Sequence, residues 1–174
     1  YLSGEILSLK ALTLTGSDVL ELSEATTHSL TLSSRAIRPY PPANVKINGA
    51  SYPRDIETDL ILTWVDRNRL QETGGAPLGF FDSGIVAEAN TLYQLILIER
   101  DENNVELRTQ NLSIGAVNTF TFATSAMHVN TRTIQIILRS LRDSYESYQA
   151  FDYTVELSQF FSAPYDLTVE FKND

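Results

Sequence analysis

Leu60-Ile61-Leu62-Thr63-Trp64-Val65 constrains this chain more than any other stretch, because it sets the only tryptophan in phase with two leucines. Side chains of a strand alternate between its faces, so Leu60, Leu62 and Trp64 share one side. An indole buries on the order of 200 Å² and dominates a small core. The stretch therefore predicts an interior-facing strand of a β-sandwich rather than a catalytic centre, and function is to be sought in loops and edges.

The same alternation recurs downstream. Strands are expected at 44–47, 60–65, 93–99, 105–110, 119–122, 133–140 and 153–157, seven runs in the order a fibronectin type III-like sandwich needs. Tyr93, Leu95 and Leu97 share a phase, as do Val105 and Leu107, then Ile134, Ile136 and Leu138, then Tyr153, Val155 and Leu157. The opposite phase is polar except for Ile61, Ile96, Ile98 and Ile137, which predicts that flanking segments or another subunit cover part of one outer face. Asp101-Glu102-Asn103-Asn104 suits a hairpin because Asn tolerates the left-handed conformation, and 123–128 carries the only hint of a helical turn.

The ends differ from this middle. Residues 1–34 read as short strands at 6–14, 19–22 and 28–32, with a bulge or break near Ala11, where the leucines change phase. The prolines of Arg38-Pro39-Tyr40-Pro41-Pro42 remove backbone donors and fix φ, so this run reads as a stiff boundary. Beyond the sandwich Leu167, Val169 and Phe171 alternate as an eighth strand. Three parts are thus expected: N-terminal β segments at 1–37, the sandwich at 38–160 and a C-terminal strand or tail at 161–174. Met127 is the sole methionine, so Tyr1 is not an initiator, and the chain reads as a piece of something longer.

Charge and cysteine usage remove whole classes of function. A net charge of −9 argues against a protein that neutralises nucleic-acid phosphates. The absence of cysteine excludes disulfides and thiolate metal sites. No apolar run approaches the roughly 20 residues of a membrane-spanning helix, so membrane insertion is not expected.

Chemistry-bearing constellations are equally sparse. His28 and His128 lack partners at metal-ligand spacing, and no glycine elbow flanks Ser125, the serine nearest His128. The glycine-rich run 73–79 lacks the lysine of a phosphate loop. Asp101, Glu102 and Asn103 offer oxygens without a wider calcium pattern, and Asp55, Glu57 and Asp59 are expected to face solvent or pair with Arg54 and Arg67. The Asn111-Leu112-Ser113 sequon matters only in a secretory setting. No catalytic, cofactor-binding or metal-ligating residue is assigned. Phe80 and Phe81 in a polar loop, and Tyr145 and Tyr148 between the last two sandwich strands, are the aromatic residues placed to anchor a partner.

The run Arg38 to Gly49, followed by Asp59-Leu60-Ile61-Leu62-Thr63-Trp64-Val65-Asp66-Arg67-Asn68-Arg69-Leu70, resembles the fibronectin type III-like region of tail-tip and baseplate proteins of long-tailed bacteriophages and gene transfer agents. The likeness runs through 92–98, 105–109 and 136–140, and covers about residues 36 to 158. It implies a non-enzymatic structural module of a virion tail tip without cofactors. Its partners would be other tail proteins or copies of itself, with a host-surface glycan or protein as a further contact. Tyr40, Arg67, Arg69, Phe80, Phe81, Tyr145 and Tyr148 are the expected partner interface; Arg67 and Arg69 would hold the loop after the Trp strand or reach a neighbour through forked hydrogen bonds. The competing expectation is a carbohydrate-binding or adhesin-like sandwich, and a glycoside hydrolase accessory domain ranks last.

Overall fold

The structure, a computed structural model, describes residues 4–71 and 78–158. The chain forms two compact units, Tyr1–Arg38 and Pro39–Asp174.

In the first unit, β1 (Ile6–Lys10) pairs antiparallel with β2 (Thr27–Thr31), setting Leu9 opposite His28. The strand expected over 6–14 stops at Lys10, and 19–22 forms no strand: Leu14 and Val19 make an isolated bridge around a turn in which Thr15 Oγ1 and Asp18 share hydrogen bonds. The phase change at Ala11 explains the difference. A continuous strand would throw leucines onto both faces of a two-stranded ribbon, so the chain leaves the ladder instead. Ala25 is the one buried hydrophobic residue among those described in this unit.

The second unit is an all-β sandwich. Its first sheet runs β3 (Ala43–Ile47), β5 (Leu60–Val65), β8 (Thr119–Phe122). The second is ordered β4 (Asp55–Ile56), β11 (Phe151–Leu157), β9 (Thr133–Arg142), β6 (Leu92–Arg100), β7 (Glu106–Gly115), with β10 (Tyr145–Glu146) paired onto β9. All pairings are antiparallel except β4 with β11. Leu95 faces Leu138, and Leu97 faces Ile136, so the inward phases meet and all four side chains are wholly buried.

Trp64 sits among them at 4% exposure, edge-on to the Tyr93 ring at 5.2 Å and 69°. Burial on this scale contributes about 25 cal/mol per Å² of apolar surface, which is what holds the two layers together. The hairpin at 101–104 follows its chemistry: Asn104 is left-handed at φ 63°, and Asp101 Oδ1 accepts from the amides of Asn103 and Val105. Thr124–Ala126 form a single 3-10 turn.

Four details depart from the expected strands. Val105 lies outside β7 and is 56% exposed, while β7 extends through the sequon to Gly115, so that Leu112 and Ile114 pack on the core. β11 begins earlier, at Phe151. Tyr145 and Glu146 form a strand where a loop is expected, closing a hairpin on Arg142 and Leu141 through left-handed Asp143 and Ser144. Of the outer-phase isoleucines, Ile61 is exposed, whereas Ile96, Ile98 and Ile137 are half-buried. The eighth strand expected at 161–174 lies outside the described residues.

Candidate partner-binding groove

The longest connection of the sandwich runs from Asp66 to Thr91, and its base is tied down residue by residue. Asp66 Oδ1 accepts from the Tyr93 hydroxyl at 2.5 Å. Burial, then the hydrogen bond and charge of Asp66, push that phenol far above its ordinary value, opposed by the Trp64 indole, so Tyr93 stays protonated and donates. The Arg67 guanidinium lies over the Tyr40 ring, 5.6 Å from its centroid. Asn68 Nδ2 donates to the Val86 carbonyl.

Arg69 donates from Nε to both oxygens of Glu88 at 3.0 Å, and Arg142 Nη1 reaches Glu88 Oε2 at 3.1 Å. Glu88 is only 5% exposed, so two guanidinia neutralise one buried carboxylate and bind the start and end of the connection to β9. Of the two roles expected for Arg69, the structure shows the first, holding the loop. Sequence reasoning passes over Glu88, because no periodicity links it to an arginine 19 residues earlier.

The tip of this connection carries Phe80 and Phe81, 50% and 74% exposed, with rings 5.2 Å apart at 88°. Asp82 Oδ2 accepts from the Gly79 amide at 2.5 Å and closes the turn that presents them. They border a groove of about 330 Å³ together with Pro41, Pro42, Tyr52 and Phe151. Asn44, Ser51 and Gln149 supply its polar lining. The opposite wall is braced: Tyr52 stacks on Phe151 at 5.9 Å and meets Tyr153 edge-on at 5.3 Å, and the Tyr153 hydroxyl donates to the carbonyls of Tyr52 and Pro53. Sequence reasoning singles out the phenylalanines but misses Tyr52 and Phe151, which only the fold brings to them.

The other expected interface residues lie elsewhere. Tyr145 is half-buried in β10 and Tyr148 is 61% exposed just beyond it, but neither lines the groove, which takes Gln149 and Ala150 from that segment. Tyr40 and Arg67 face each other, and neither lines the groove.

A second buried carboxylate continues the inward phase of Tyr93, Leu95 and Leu97. Glu99 is fully buried; its Oε1 accepts from Arg108 Nε (2.7 Å), Arg108 Nη2 (2.5 Å) and Gln110 Nε2 (3.3 Å), and its Oε2 accepts from the His128 amide (2.6 Å) and the Thr131 hydroxyl (2.8 Å). Burial raises the carboxyl, but these donors together outweigh it and hold Glu99 below its ordinary value. The loop containing His128 is thereby pinned to the sheet, and His128 Nδ1 accepts from the Asn130 amide.

Asp55 and Glu57 face solvent, one of the two expected outcomes, and Asp59 is half-buried. Rather than pairing with arginine, it accepts from the amide and hydroxyl of Thr124, and these bonds lower its carboxyl. Arg54 instead approaches Glu156 at 3.9 Å, both largely exposed. A larger cleft of about 760 Å³ opens beside Asp55, Glu57, Asp101, Glu102 and Arg132. Among the described residues no His, Cys, Asp or Glu cluster is placed to hold a metal ion.

No family model and no curated protein matches the sequence.

Proposed function

We propose that this chain is a non-enzymatic structural module of a bacteriophage tail-tip or baseplate protein, working in the virion through contacts with other tail proteins or copies of itself and with the host surface. The observation that carries this reading is physical coupling among the residues of the resemblance. The proline run and the Trp64 to Arg69 element stand far apart in sequence, yet Arg67 lies over Tyr40, and Ala43 pairs with Val65. A stiff proline lead-in bonded to the strand that carries Trp64 suits a module that transmits load between neighbours. The buried carboxylates support the same role, because each is occupied in tying loops to the sandwich.

Antibodies raised against the chain test this on phage particles produced from a genome that encodes it. Electron microscopy should show gold at the tail tip. Label confined to capsids, or intact virions without label, would refute the proposal.

A further inference from the structure

We infer that the groove between Phe80-Phe81 and Tyr52-Phe151 is a binding site for a neutral saccharide. This names the chemistry of the proposed host contact, and rests on that reading only for where the sugar is met.

Three observations carry it. The first is exposure: Phe80, Phe81 and Tyr52 are 50%, 74% and 60% exposed, so a large part of each ring is presented to water. Phe80 and Phe81 stand at 88° to each other and offer a ring face in two directions. An aromatic face is electron-rich, and the C–H faces of a pyranose carry the complementary partial charge.

The second is charge. In a chain of net charge −9, no Asp, Glu, Lys, Arg or His among the described residues lines this groove, and Asp82, next to Phe81, is engaged by the Gly79 amide. The occupant is therefore neutral, since neither an anion nor a cation would meet a counter-charge. The third is unspent polarity. The side chains of Asn44, Ser51 and Gln149 line the groove without a hydrogen bond to any described residue. Amides and a hydroxyl both donate and accept, as sugar hydroxyls do, and a mostly apolar pocket with a few such groups is the usual make-up of a small-ligand site. Its volume of about 330 Å³ lies at the small end of such sites, a few sugar residues at most.

The test uses the 174-residue chain. Maltohexaose, mannohexaose, chitohexaose and N-acetyllactosamine, with sialylated lactosamine as the acidic comparison, are titrated under saturation-transfer NMR. At least one neutral probe should bind saturably. Phe81→Ala and Tyr52→Ala should weaken it at least ten-fold with unchanged circular dichroism, and Phe81→Trp should retain it. No saturable binding of any neutral probe, preference for the sialylated one, or affinity unchanged in Phe81→Ala would each overturn the inference. Tail-tip labelling without sugar binding removes the inference alone; sugar binding without tail labelling removes the tail-tip reading alone and leaves an adhesin-like module.

Discussion

In the Tyr1–Arg38 unit, β1 and β2 pair over five residues and leave Ile6, Leu9 and Leu30 67%, 49% and 49% exposed. In the sandwich, β6 and β9 pair over nine residues and remove Leu95, Leu97, Ile136 and Leu138 wholly from water. Both regions satisfy their backbone by ladder hydrogen bonds, so the ladder is not what separates them. A second layer is. Exchanging water for a strand partner yields little net free energy, and an isolated two-stranded hairpin is marginal, whereas facing sheets add the apolar term.

The comparison breaks most visibly at its centre. Trp64→Ala should cost about 3–5 kcal/mol in urea unfolding followed by circular dichroism, because the cavity opens between the layers. A loss under about 1 kcal/mol would mean that the layers do not depend on their largest shared side chain.

Glu99→Gln sharpens it from the polar side, with an expected loss of roughly 1–3 kcal/mol near pH 7 as charge-assisted bonds to Arg108 are weakened. The pH dependence has a definite sign. The folded carboxyl is held below the ordinary 4.5, so its stabilisation is full above that pH and is lost as the pH falls through the lower folded value. Wild-type stability should therefore decline below about pH 4.5 more steeply than that of the variant. Parallel acid profiles would show that Glu99 is no better stabilised folded than unfolded.

Removal of residues 1–38 should have the smallest effect, moving the sandwich's Tm by less than about 3 °C, the equivalent of about 1 kcal/mol at this size. The core cluster contains no residue before Val45. A scanning-calorimetry shift of ten degrees would show that the hairpin unit supports the sandwich.

Much of this contrast is legible in the sequence, and what is not has a physical reason. Trp64 and the alternating runs of β6 and β9 are local signals, because facing residues lie two apart. Glu99 is visible by phase and hidden by chemistry: position 99 belongs to the inward set, but a carboxylate there is tolerable only with donors from 108, 110, 128 and 131. The C-terminal half of β7 is obscured because Asn111 and Ser113 occupy its outer phase and weaken the strand signal. Of the groove, Phe80 and Phe81 stand out as unexplained aromatics. Tyr52 and Phe151 cannot be joined to them without knowing which strands become neighbours, since pairing a wall from residues 52 and 151 is a tertiary fact.

Tying Arg69, Glu88 and Arg142 together makes the intervening stretch a cassette. Its ends are fixed by ion pairs at Arg69 and Glu88, and doubling the length of a closed loop costs only about 0.6 kcal/mol. Insertions or wholesale rewriting between 70 and 87 can therefore alter what the tip meets while the scaffold stays as it is, the same division of labour that lets a fixed framework carry variable recognition loops.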